Sequence, residues 1–190
     1  MIYIKDEEFI RGNCPMTKEE IRILSIAKLG LEKHYKVLDI GAGTGSVTIQ
    51  ISKICTEGEV IAIEKNAEAL AVLNINIEKF KCNNIKVLDG EALEIKKSIE
   101  DKFDAIFVGG SGGNIKEIIK SYGNNLKQGG HMVLNFITID NLYNAMDTLK
   151  FLDYKVESSQ ISISKTRENS YMLMAGNPIF IVTAIKLREI

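Results

Sequence analysis

The chain has 190 residues, of which 45% are hydrophobic and 26% charged, and its formal net charge is -1. That length suffices for one domain with a sizeable core, and the near-neutral charge excludes the electrostatic footprint of a nucleic-acid or anionic-membrane binder. The opening residues MIYIKDEEFI carry acids and no apolar core, so they do not read as a secretory signal, and no apolar run approaches the roughly 18 residues of a membrane helix.

Three widely spaced cysteines, Cys14, Cys55 and Cys82, form no C-x-x-C pair and point to a reducing cytoplasm. Cys55 and Cys82 fall in or near helical patterns and read as packing thiols. His34 and His131 have no second ligand at metal spacing, so no metal site is expected.

The first predicted element is a helix over residues 17–29, preceded by Pro15, with Thr17 and Glu20 spaced as a capping box. A β-branched run at 36–40 predicts a strand, followed by a glycine-rich turn and a helix over 46–54. Strands at 59–64, 85–89, 103–108 and 130–136 alternate with helices at 66–80, 114–124 and 139–149. This order predicts a parallel sheet covered on both faces. After Leu152 the pattern changes. Runs at 154–164 and 179–185, separated by the polar stretch 165–178 with its Gly-Asn-Pro, predict a closing antiparallel pair. There is no repeat, low-complexity segment or linker, so residues 1–190 read as one domain, with 1–30 an N-terminal extension and helix.

The turn in VLDIGAGTGSVTIQIS places Gly41, Gly43 and Gly45 where backbone can pass close to a ligand at a helix N-terminus. A dinucleotide fold wants G-x-G-x-x-G; the spacing here is G-x-G-x-G, and Asp39 stands two residues before it. An acid there repels a pyrophosphate and suits a sulfonium, which favours S-adenosylmethionine. Glu64, ending the second strand, is placed to accept hydrogen bonds from ribose hydroxyls. Asp89-Gly90-Glu91-Ala92, after the third, offers a carboxylate and the Ala92 N–H to an adenine edge. Taken singly, Glu64 is an ordinary exposed acid and Asp89-Gly90 an ordinary turn. Their order and spacing make the combination specific.

VLDIGAGTG, IEKN and LDGEAL together resemble the class I S-adenosylmethionine-dependent methyltransferases over about residues 15–152. That resemblance implies a Rossmann-like α/β fold: a mostly parallel seven-stranded sheet with an antiparallel C-terminal hairpin and helices on both faces. DEEFIRGNCPMTKEEIRILSIAKL, AIFVGGSGGNIKEII and ISISKTRENSYMLMAGNPIFIVT are similar to the cobalt-precorrin-6B carbon-15 methyltransferase family of the cobalamin pathway, whose members also decarboxylate. The family implies a homotetramer that binds S-adenosyl-L-methionine through Thr17, Gly41, Ala42, Gly43, Thr44, Gly45, Glu64 and Ala92, with the N-terminal helix over the cofactor cleft and Pro15 and Met16 lining it. It also implies a cobalt-precorrin tetrapyrrole as substrate; with room for only one cofactor domain, methylation at another ring position is expected of a separate carbon-5 methyltransferase partner.

GGSGG ends the fourth strand, where many related enzymes carry an acid, amide or proline motif. Gly109, Gly110, Ser111, Gly112 and Gly113 leave space for a flat macrocycle and expose N–H groups to a carboxylate; alternatively they only permit a tight turn. Asn135, Arg167, Glu168 and Tyr171 are the candidate proton donors, lying at or near the substrate side of such a fold. Arg167 and Glu168 read equally well as a solvated hairpin loop, and Met172 and Met174 as core or interface packing. Two other functions stay open: a tRNA or protein methyltransferase, which should show a basic face, and a non-catalytic nucleotide-binding or interaction protein.

Overall fold

The computed structural model describes residues 3–110, 112–167 and 170–187. Ser111 and Glu168, both candidate substrate-side residues, lie outside them. Strands β1 (Lys36–Ile40), β2 (Glu59–Glu64), β3 (Ile85–Asp89), β4 (Phe103–Val108) and β5 (Leu126–Phe136) alternate with helices α2 (Ser46–Ile54), α3 (Ala67–Lys79), α4 (Ala92–Ile95) and α5 (Ile115–Gly123). Helix α1 (Glu19–Leu29) precedes them. Helix α6 (Ile139–Phe151), β6 (Tyr154–Ile161), β7 (Ser164–Thr166), β8 (Leu173–Ala175) and β9 (Ile179–Lys186) follow.

Seven strands form one sheet in the order β3-β2-β1-β4-β5-β9-β6. The pairs among β1 to β5 are parallel, and β9 runs antiparallel to both β5 and β6. Period-2 alternation divides the side chains between two layers. Leu38, Ile106, Leu134 and Val182 pack with Ile118, Tyr122 and Leu149 of α5 and α6. Val37, Phe107, Val133 and Ile181 face the other way, against Ile26 and Leu29 of α1 and Ile51 of α2.

Three elements differ from the expected ones. β5 begins at Leu126, not at residue 130: its register against β4 shifts between Phe103 and Ala105, and this irregularity takes up the polar residues before His131. The run at 154–164 leaves the sheet after Ile161, which pairs with Ile179 at the first position of β9. The chain then makes a small hairpin, β7-β8, inside the stretch read as a connector. Its far side exposes Tyr171, Met172, Leu173 and Met174, so the two methionines are not core residues. Finally, Thr17 does not cap α1. Lys18 is the N-cap, with no side-chain cap hydrogen bond, and the Glu20 carboxylate pairs with Lys165 of β7 at 2.5 Å.

Candidate functional site

The strand order reverses between β1 and β4, and such switch points are where open α/β sheets bind ligands. Ile40 and Val108 are register partners, so the two glycine stretches leave the sheet side by side. The Gly109 N–H donates to the Ile40 carbonyl at 2.9 Å, and the Gly41 N–H to the Ile63 carbonyl at 2.9 Å. A Cβ on Gly41 would lie 3.0 Å from both the nitrogen and the oxygen of Gly110. Glycine at 41 is therefore required because two backbones touch there, a reason additional to ligand approach.

These loops bound a cavity of about 580 Å³, within the roughly 300–1,000 Å³ of small-molecule sites. Its walls are the glycine turn, Glu64, the loop Gly90–Ala92, the loop after β4, the end of β5 at Asn135, and a strap formed by residues 13–18. Of the expected site residues, Thr17, Gly41, Ala42, Gly43, Thr44, Glu64, Ala92, Gly109, Gly110, Gly112 and Asn135 line it. The Tyr122 hydroxyl donates to the Ala92 carbonyl at 2.6 Å and fixes the loop after β3.

Other expected residues fall elsewhere. Asp39 is buried behind the turn, where its Oδ2 accepts from the Thr48 hydroxyl of α2. Gly45 backs onto Leu73 of α3, and Asp89 is exposed at the end of β3. Gly113 is exposed beside the cavity rim without lining the cavity. Arg167 and Tyr171 belong to the turn of the β7-β8 hairpin, where the Arg167 N–H donates to the Met172 carbonyl and Tyr171 is 98% exposed. The cause is topological: β7 and β8 form a separate two-stranded sheet once β6 has passed the start of β9.

The Glu64 carboxylate is already organised. Its Oε2 accepts the Gly43 N–H at 2.8 Å, and its Oε1 accepts the N–H groups of Lys65 and Asn66 at 2.8 and 2.9 Å. The side chain thus braces the end of β2 against the glycine turn. A carboxylate offers about four lone-pair sites, so acceptor capacity remains for a ligand hydroxyl.

Burial raises the Asp39 carboxyl from its ordinary 3.8 to about 7; the Thr48 hydrogen bond opposes the shift and the Glu64 charge adds to it. Its Oδ1 has no hydrogen-bond partner among the described residues. The folded chain therefore holds this proton in a range where the unfolded chain has lost it. Stability linked to Asp39 is full below about pH 4 and is lost as pH rises through about 7. At about 1.4 kcal/mol per unit, the limit is about 4 kcal/mol. Asp39→Asn is expected to remove this slope; urea unfolding of both proteins between pH 5 and 8 checks it, and parallel pH profiles would refute it.

Sequence reasoning left two groups unassigned. The stretch Asp89–Ala92 offers two carboxylates to an adenine edge without choosing between them; Glu91 is the one that lines the cavity, and its Oε1 accepts from the Asn114 side-chain amide at 2.9 Å. Asn135 was named, but not its partner: Ser25 of α1 lies 2.9 Å from its Nδ2. No local pattern joins residues so far apart in the chain.

A family model described as a precorrin methyltransferase domain matches residues 8–175. The chain belongs to that family. As a precorrin methyltransferase domain it is 42% identical over 183 residues to a probable cobalt-precorrin-6B C(15)-methyltransferase (decarboxylating) of Sulfurisphaera tokodaii, covering 94% of this chain and 95% of the relative. It is 37% identical over 187 residues to the Salmonella typhimurium cobalt-precorrin-6B C(15)-methyltransferase (decarboxylating), with 96% of each covered. A crystal structure of precorrin-6y C5,15-methyltransferase from Geobacter metallireducens superposes with a TM-score of 0.92 at 35% identity, covering 97% of both chains. Methyltransferases of this kind use S-adenosyl-L-methionine. The cavity fits that donor: exposed turn backbone, a braced carboxylate with acceptor capacity left, and a polar loop after β3 meet in one space of suitable size.

Proposed function

We propose that this precorrin methyltransferase domain methylates carbon 15 of a cobalt-precorrin-6B tetrapyrrole and decarboxylates an acetate arm of it, in anaerobic cobalamin biosynthesis. Full-length likeness to relatives named for that reaction carries the reading. In it, Thr17, the turn Gly41–Thr44, Glu64 and Ala92 hold S-adenosyl-L-methionine, with Gly45 supporting the turn. When bound, the donor supplies an electrophilic methyl group on a sulfonium centre.

The chain's own part is to hold and align. Glu64 takes a ribose hydroxyl, Glu91 and the Ala92 N–H take the adenine edge, and Asp39 supports the turn from behind through its hydrogen bond with Thr48. Gly109, Gly110, Gly112 and Asn135 face the second reactant. The macrocycle carbon is its own nucleophile, so no strong side-chain base is required. Fixing two reactants in line contributes about 7–11 kcal/mol.

Residues 1–190 act in this reading as one domain, with the strap and α1 over the cofactor cleft. The apolar side chains exposed on the β7-β8 hairpin offer an interface for the homotetramer that the family resemblance implies. Methylation at carbon 5 falls in this reading to a separate partner enzyme, since the relatives matched along nearly their whole length are named for carbon 15. The three cysteines are free, which suits a reducing cytoplasm, and among the described residues no helix is long and apolar enough to cross a membrane.

The test is incubation of the purified chain with S-adenosyl-L-methionine and cobalt-precorrin-6B, read by mass. Gain of one methyl group with loss of one carbon dioxide is expected. An unchanged substrate mass, beside a positive control enzyme, would refute the assignment.

A further inference from the structure

We propose that Arg22 is a positioning residue for the cofactor cavity: its buried guanidinium pins the N-terminal strap that forms one wall. The proposal rests on the reading of that cavity as the cofactor site.

Arg22 lies one turn into α1, and its side chain is wholly buried. Nη1 donates to the Thr17 carbonyl at 2.8 Å and to Asp6 Oδ1 at 3.0 Å, and Nη2 donates to the Ile4 carbonyl at 2.5 Å. The guanidinium carbon sits 4.9 Å from the centroid of the Phe9 ring. Every one of these partners belongs to the segment preceding α1. Apart from a three-residue 3-10 turn at Asp6–Glu8, that segment has no helix or strand to hold its shape.

A buried ion pair is weak evidence for a role in stability, since apolar residues of the same volume often serve a core as well. Here the guanidinium is also incompletely satisfied: Nε has no partner among the described residues. What the charged fork does, and an apolar side chain cannot, is fix separate acceptors on an irregular segment at once. One of them, the Thr17 carbonyl, lies within the run that lines the cavity.

A second anchor points the same way. The buried Asn76 of α3 accepts the Ile10 N–H and donates to the Ile10 carbonyl, and its amide also donates to the Thr44 carbonyl at 2.9 Å. The segment leading into the strap and the glycine turn are thus tied through one side chain. They also meet directly: a Cβ on Gly43 would lie 3.4 Å from the Pro15 carbonyl oxygen. Releasing the strap at Arg22 removes a wall from the turn.

The experiment compares wild type, Arg22→Lys and Arg22→Met. S-adenosyl-L-methionine affinity is measured by calorimetry and backbone order by amide hydrogen exchange. Arg22→Met is expected to raise Kd about tenfold or more, and Arg22→Lys about threefold, because one ammonium replaces part of the fork. Exchange should quicken over residues 4–17 and stay as in wild type across β4 and β5. In turnover, KM for the donor should rise while kcat at saturating donor stays within about twofold, since only the free cavity is disordered.

Unchanged Kd in both variants overturns the proposal, as does loss of protection throughout β4 and β5. If Arg22→Met fails to fold, Arg22→Lys decides by the same criteria. Glu64→Ala separates this proposal from the reading beneath it. If Glu64→Ala leaves Kd unchanged, the cavity assignment fails; if it weakens binding while the Arg22 variants do not, only the role of Arg22 fails.

Discussion

Glu64→Ala is expected to weaken S-adenosyl-L-methionine binding by at least tenfold. The carboxylate is the natural acceptor for ribose hydroxyls, and a hydrogen bond to a charged group contributes about 1.5–3 kcal/mol, against 1.4 kcal/mol for each factor of ten. A further loss follows from its protein partners. The Gly43, Lys65 and Asn66 N–H groups all donate to this carboxylate, and alanine releases the glycine turn along with the ribose acceptor. Glu64→Gln keeps one acceptor oxygen and should fall between the two. Calorimetry gives the affinities and a thermal melt shows whether the turn alone has loosened. An affinity within twofold of wild type would remove Glu64 from the site.

The second large effect is expected at Gly110. A Cβ there meets no atom within 4 Å, so the glycine leaves open space on the cavity wall. Gly110→Leu should fold normally, bind S-adenosyl-L-methionine as wild type does, and lower corrinoid turnover more than about tenfold by filling that space, as overfilling does in packed sites. The same change at Gly112 is a poorer probe, because its φ of +56° strains any side chain whatever the substrate does. Turnover that survives Gly110→Leu, or cofactor affinity that falls with it, would sink the view that this wall faces the tetrapyrrole.

Local pattern sufficed for the parallel half of the sheet, because Val37–Ile40 and Phe103–Val108 are short apolar runs, each interrupted by a single aspartate, between helices and their neighbours follow the same rhythm. One wall of the cavity was legible in part for a related reason: the glycine turn and Glu64 follow β1 and end β2 at the spacing the family resemblance implies, whereas Asp89 at the end of β3 is exposed and does not line it. What escaped depends on contacts between distant residues. The β5 irregularity hides behind Gly129-Gly130, which reads as a break. The hairpin strands Ser164–Thr166 and Leu173–Ala175 are only three residues each, the first polar and the second apolar, so the alternation of Met172 and Met174 alone could not mark a pair. Thr17 carries the chemistry of a cap and is not one, because Arg22 takes its carbonyl and Glu20 turns to Lys165. Asp39 is a buried acid beside the turn, but its partner is not legible from the turn itself: parity along β1 turns it to the face covered by α2, where Thr48 donates to it.

The placement of β9 between β5 and β6 has a consequence for how the chain is made. During synthesis β5 and β6 both emerge before the strand that joins them; β5 has only β4 beside it, and β6 has no sheet partner, until residues 179–186 leave the ribosome. Two unpaired edges wait on one late segment. A nascent chain stalled before that point carries the glycine turn, Glu64 and the strap, but an unfinished sheet behind the wall at Asn135. Such edges are where strands of other chains attach. The interval between residues 161 and 179 is therefore the aggregation-exposed window of biosynthesis, and the speed of translation through it bears on the yield of native protein.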